Sequence, residues 1–367
     1  MAILEEIQEK ERRVREFLKA RGLAALLLKR QANFSWMTGG GLNVVGTATE
    51  LGNCSLLITR KGKFAITNNI EAPRMIEEEG LEGQGYEVRS FPWYEEREVE
   101  LVREVAGQGT VGSDWPFPDA AMVASDVARL RYSLTPEELI RYRWLGARVS
   151  AALEQTMIAT EKGEKESAVI GRLCRELWKD RIDTMGMMSA ADERIARFRH
   201  CIPTEKKVEK LLMVSVNARK GGLIVCLTRF VHFGKVPRDL REKYEANVGI
   251  DCTFMAATRP GVPARDVLKK GIEAYGAKGY PEEWRLHHQG GSIGYSPRDY
   301  RANFETPDIV QENQPFTWNP SLTGTKSEDT ILATAEGVEM ITHPTFYPTI
   351  SMTVGGIAFV RPAILEK

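Results

Sequence analysis

The sequence predicts an α/β domain followed by an α+β domain, and three observations carry this. Helical and strand-like periodicities alternate up to a break near residue 131. A strong helix start, Thr135-Pro136-Glu137-Glu138, follows the break. Beyond it, long helices and Val/Leu/Ile/Thr-rich runs segregate instead of alternating. At 367 residues the chain is long enough for two domains, 1–131 and 132–367.

Residues 3–21 place Ile3, Leu4, Ile7, Val14, Phe17 and Leu18 near a 3.6-residue period, and Gly22 stops that helix. Short apolar runs follow at Leu23–Leu28, Ser55–Thr59 and Lys63–Ile66, with a helical stretch at Glu71–Glu79. These read as the strands and covering helices of one central sheet. Trp115-Pro116-Phe117-Pro118 reads as a rigid connecting loop. After the break, Thr135 can cap, Pro136 suits the first turn and Glu138 completes a capping box. A long helix should reach about residue 160 and end by Gly163, with a second helix through Trp178. The Met185–Met188 stretch reads as core filler. Leu211–Val216 and Leu223–Phe233 look like paired strands, helices are expected over 239–257 and 264–277, and strands and turns fill the rest.

Apolar residues make up 43% of the chain and charged residues 27%, as in a water-soluble fold with a sizeable core. A formal net charge of zero lacks the basic field that nucleic-acid binding needs. The five cysteines are scattered, with no CxxC pair, as in a reduced cytoplasmic protein. No run approaches the roughly 18 apolar residues of a membrane span. The N-terminus lacks the apolar stretch of a signal peptide.

Five strings, in order, carry a resemblance. They are Asn33-Phe34-Ser35-Trp36-Met37-Thr38-Gly39, the strand Gly222–Arg229 (GLIVCLTR), His288-Gln289-Gly290-Gly291, Phe316-Thr317-Trp318-Asn319-Pro320 and Gly324–Thr330 (GTKSEDT). Together they resemble the creatinase/prolidase/aminopeptidase P family, the M24 peptidase-like proteins of pita-bread fold. The resemblance implies a creatinase/prolidase-like first domain, a pita-bread second domain and a homodimer. It also implies two divalent metals held by two Asp, one His and two Glu. Carried onto this sequence, those positions fall on Ser215, Cys226, His288, Asn319 and Glu328. Only His288 and Glu328 keep the family's residue types.

Two divalent cations need several carboxylates to offset their charge, and hard oxygen donors to suit Mn or Mg. A chain with degenerate positions at Ser215, Cys226 and Asn319 is therefore expected to hold no metal. The alternative is a single zinc on Cys226, His288 and Glu328; equally, Cys226 packs as a small buried residue. The metal-free branch of the family, typified by creatinase, implies a histidine proton shuttle, here His200 in His200-Cys201-Ile202-Pro203. Catalytic candidates are thus His200, His288 and Glu328. Arg229, Tyr295, Arg298, Asn319 and Lys326 are candidates to bind substrate. Singly, Lys326 and Arg298 also read as surface charges, Glu328-Asp329 as a solvated acidic pair, and His287 and His288 as part of a turn before the Gly pair.

The expected activity is metal-independent hydrolysis of a C–N bond in a small polar substrate, creatinase-like in chemistry, and the expected partner is a small-molecule or dipeptide-sized substrate. One alternative is an Xaa-Pro-type metallopeptidase with an atypical, mononuclear site. The other is a ligand-binding protein without catalysis. The location expected is cytoplasmic, with neither nucleic-acid nor membrane partners.

Overall fold

The computed structural model describes residues Ala2–Lys367. The chain divides into two compact units. One runs up to Arg131 and includes Gly221–Leu223; the other is Tyr132–Lys220 with Ile224–Lys367.

In the first unit the amphipathic start folds as the helix Ala2–Arg21 and stops at Gly22, whose φ of +66° favours glycine. Its inner face buries an i,i+4 pair, Glu6 and Lys10, and the Lys10 ammonium also donates to the Trp36 carbonyl at 2.8 Å. The strands are β1 (Ala25–Arg30), β2 (Leu51–Thr59), β3 (Lys63–Asn68), β4 (Tyr86–Phe91), β5 (Val111–Ser113) and β6 (Ala120–Met122). They form one six-stranded sheet in the order β4-β3-β2-β1-β5-β6. The β1/β2 and β2/β3 pairs are antiparallel; β3/β4, β1/β5 and β5/β6 are parallel. Ala25, Leu27, Leu57 and Ile66 project from the sheet onto Leu101 and Val102 of the helix Glu98–Ala106. The Asn33-to-Gly39 string is structural here: the Asn33 amide donates to Asp114 at 2.6 Å, and its carbonyl accepts from Arg131.

The second unit opens with the predicted cap. Thr135 Oγ1 accepts from the Glu138 backbone N–H, and the Glu138 carboxylate accepts from the Thr135 N–H at 2.7 Å. The helix spans Pro136–Ala159; it ends before Gly163 because Thr160 is already extended, at φ −70° and ψ 136°. Strands β7 (Asp183–Ala191), β8 (Leu211–Lys220), β9 (Leu223–His232) and the terminal Leu365–Glu366 make a four-stranded sheet. Met185–Met188 lies on β7, at the edge of that sheet, and is half-buried to exposed instead of filling the core.

A second sheet takes β10 (Gly290–Ser292), β11 (Tyr300–Arg301), β12 (Gln314–Trp318), β13 (Asp329–Thr334) and β14 (Gly337–Met340), in the order β11-β10-β12-β13-β14. The remaining pair is β15 (Thr349–Val354) with β16 (Ile357–Pro362), and Leu365–Glu366 is β17. Helices Arg238–Ala257 and Ala264–Ala277 cover the core, where Phe254 stacks on Trp318 with ring centres 4.8 Å apart. The Gly290-Gly291 pair is dictated by close approach. A Cβ at Gly290 would meet the Thr317 carbonyl at 2.2 Å, and one at Gly291 the Tyr300 carbonyl at 2.3 Å. Among the described residues, no helix is long and apolar enough to cross a membrane.

Candidate active site

The second unit brings Ser215 from the middle of β8, Thr228 from β9, and Lys326 and Glu328 from the loop before β13 into one buried cluster. One Glu328 oxygen accepts from Thr228 Oγ1 at 2.7 Å, from Ser215 Oγ at 2.9 Å and from the Lys326 ammonium at 2.9 Å. Lys326 also reaches Ser215 Oγ at 3.3 Å, and Arg298 lies 3.7 Å from the other Glu328 oxygen. Burial alone would push the Glu328 carboxyl up; Lys326 and Arg298 outweigh it and hold the group down at about 2. Glu328 is therefore an anion with fixed cations beside it. Lys326 and Glu328 are only 4% and 2% exposed, so neither is a surface charge.

A network behind this cluster holds the loop. Ser327 donates to Asp251 at 2.7 Å, and Arg361 bridges Asp251 at 2.7 Å and Asp329 at 3.1 Å. Arg229 joins Asp329 and Glu154, each at 3.1 Å. All of these side chains are buried. Arg229 is thus committed to two interior carboxylates, which corrects its expected role in binding substrate. Tyr295 is corrected likewise: it is buried, and its hydroxyl donates to Glu138 at 2.5 Å.

Cys226 is fully buried beside Ile224 and Ile293, and burial pushes its thiol up to about 11. Its sulfur faces Arg298 at 3.9 Å. A neutral thiol beside a guanidinium is a poor metal ligand, because the thiolate is the binding form. Asn319, just after β12, is buried, and its side-chain carbonyl has no hydrogen-bond partner.

The ligand atoms of Cys226, His288 and Glu328 do not converge, so the zinc trio given as the alternative is not brought together. Instead, among the described residues, the one group of His, Cys, Asp or Glu whose ligand atoms converge is His200, His287 and His288, all within 4.8 Å of one another. His200 follows the helix Glu193–Arg197, while His287 and His288 follow the 3-10 turn Glu283–Leu286. The His287 and His288 rings stack at 4.4 Å, and His200 packs at 5.0 and 5.7 Å from them. Burial and the nearby Lys326 push His287 down to about 2. Burial, Arg298 and Arg301 push His288 down to about 3, and burial with Lys326 lowers His200. His287 and Lys326 also line one cavity, with Arg199, Met213, Ser321 and Thr325.

Sequence reasoning passed over His287 as a member of this group, and Thr228. Thr228 was legible in the period of two along β9, which puts it on the same face as Cys226. His287 was read as a turn residue, and its meeting with His200 is tertiary.

The two-metal centre that the resemblance implies does not fit these residues. Two divalent ions would face one carboxylate, itself paired with Lys326 and Arg298, amid a serine, a threonine and a neutral thiol.

Comparison with known proteins agrees with the fold. Residues 11–160 match the creatinase/prolidase N-terminal domain, and residues 141–335, more than half the chain, match metallopeptidase family M24. The chain is 25% identical to an Xaa-Pro dipeptidase of Lactobacillus helveticus over 62% of its own length and 65% of the relative's. That is short of two thirds of the relative. The structure is similar to that of an Xaa-Pro dipeptidase from Bacillus anthracis, with a TM-score of 0.77, 21% identity, and 98% of this chain and 100% of that one covered. It is also similar to the N-terminal domain of FACT complex subunit SPT16 from chickpea, with a TM-score of 0.72 and 13% identity, covering 92% and 97%. At such identities these two likenesses show the fold alone. With the pita-bread architecture and both domain matches in place, the chain belongs to metallopeptidase family M24.

Proposed function

We propose that the second unit hydrolyses a C–N bond in a dipeptide-sized substrate of the Xaa-Pro kind, at a site that does not use the family's two-metal centre. The observation that carries the reading is Arg298. Its guanidinium lies half-buried beside Glu328, and its Nε is buried without a hydrogen-bond partner. Arginine presents parallel donors that suit a carboxylate, and a dipeptide carries one at its C-terminus. Within electrostatic reach of Arg298 stand His200 and His288. Three imidazoles supply lone pairs for water activation or for holding an ion that activates water. Lys326 stays with Glu328 and keeps the floor of the site neutral. The dipeptidase relative supports this substrate class over the creatinase-like one.

The test is chromatographic detection of free proline from a panel of Xaa-Pro dipeptides, with Xaa-Ala dipeptides as controls. Proline release is expected, with KM raised at least tenfold in Arg298→Met. Release from no member of the panel sinks the reading. The metal-independent, creatinase-like reading keeps one observation in its favour: Glu328 is paired with a fixed ammonium. It predicts hydrolysis of small amidine or urea-type substrates that survives chelators. The homodimer implied by the family belongs to the same proposal, and sedimentation of the full chain checks it.

A further inference from the structure

We propose that His200, His287 and His288 form a site for one transition-metal ion of the zinc class; it shares His288 with the positions that the resemblance gives as family ligands, and takes its other two ligands, His200 and His287, from outside them. The first support is distance. His200 Nε2 and His287 Nε2 are 3.1 Å apart, and the ligand atoms of all three residues fall within 4.8 Å. Two nitrogens bound at about 2.0–2.1 Å on a tetrahedral ion stand about 3.3 Å apart. The His200 and His287 nitrogens already stand near that separation, and the third nitrogen must close by up to about 1.5 Å.

The second support is a nitrogen left over. Nδ1 of His288 is buried and has no hydrogen-bond partner, which is costly, and an ion between the rings would give it one; Nδ1 of His287 is unpartnered too, but an ion on its Nε2 leaves it so. The third support is local geometry. His287 has extended backbone, at φ −156° and ψ 146°, which by itself sends successive side chains to opposite faces. Its ring and that of His288 nevertheless lie 4.4 Å apart and both meet His200.

Donor type decides the ion. Three imidazoles suit Zn, Co, Ni or Cu and do not suit Mg, Ca or Mn, which take oxygen. Surroundings decide the fourth ligand. Lys326, Arg298 and Arg301 lie nearby with only Glu328 to oppose them, so an ion here is favoured when it brings an anion. Three protein ligands with a fourth position open is the pattern of catalytic zinc. Here that position takes hydroxide or a substrate carboxylate. The inference goes beyond the proposed hydrolysis and does not rest on it, since ion binding is measurable without turnover.

The test is titration of Co²⁺ alone into the metal-free full chain, followed by visible absorption, with Zn²⁺ as competitor. One Co²⁺ per chain is expected, with the intense bands of four-coordinate cobalt, displaced by one Zn²⁺. His200→Ala and His287→Ala should each weaken binding at least tenfold, and Cys226→Ser should leave it unchanged. His200 is exposed, so its variant reports on binding free of a folding defect. Absence of stoichiometric Co²⁺ overturns the proposal. So does binding that persists in both histidine variants, or binding lost in Cys226→Ser. Ion binding without proline release would remove the hydrolysis reading and keep the site; proline release without ion binding would do the reverse.

Discussion

At the residue scale, the chemistry turns on what neutralises Glu328. A buried carboxylate must be paired, and here Lys326 and Arg298 supply the opposite charge. Lys326→Met should therefore cost about 3–5 kcal/mol, because it leaves a buried anion with only Arg298, at 3.7 Å, for a cation. Adding Glu328→Gln should recover much of that loss, and urea unfolding of both variants checks the cycle. The sign of the pH effect follows from the same pair. Glu328 titrates at about 2 in the folded chain against an ordinary 4.5, so its contribution is complete above pH 4.5 and fades as pH falls toward 2. Unfolding free energy measured from pH 6 to pH 2 should fall more steeply for the wild type than for Glu328→Gln. Equal slopes would mean that the cations do not hold the group down.

At the scale of elements, the loop bearing Lys326 and Glu328 is fixed by charges that reach across the unit. Arg229 on β9 ties Glu154 of the helix Pro136–Ala159 to Asp329 at the start of β13. Arg229→Leu leaves buried Glu154 without its cation and Asp329 with Arg361 alone, and should cost about 3–5 kcal/mol, which melting of the variant measures. The contrast with Arg298→Met, expected to act on KM, separates a structural arginine from a binding one. The helix start is a smaller effect: Thr135→Ala removes an N-cap and should cost about 1 kcal/mol with the urea m-value unchanged. These elements show what sequence can carry. Thr135 and Glu138 announce the cap within four residues, and the short apolar runs of β1 to β3 announce the first sheet. Arg229 has no local signal of its fate, since its partners lie 75 and 100 residues away.

For the whole molecule, the order of motifs along the chain made the family legible: one string sits in the first unit and four lie wholly or mostly in the second. The residue types at Ser215, Cys226 and Asn319 were legible as departures from what the resemblance implies there. The pairing of Glu328 was not, because Lys326 and Arg298 read singly as surface charges until β9 and the loop before β13 close around them. His287 was hidden for the same reason: the three histidines gather only in the folded unit. The relatives point toward Xaa-Pro chemistry, whereas the residues point away from the two-metal route to it.

An anomalous difference map from crystals of the full chain soaked in Zn²⁺ decides between those pulls. The account predicts one peak within bonding distance of the His200, His287 and His288 nitrogens, and none beside Glu328. A pair of peaks flanking Glu328, with Lys326 swung aside, would contradict it.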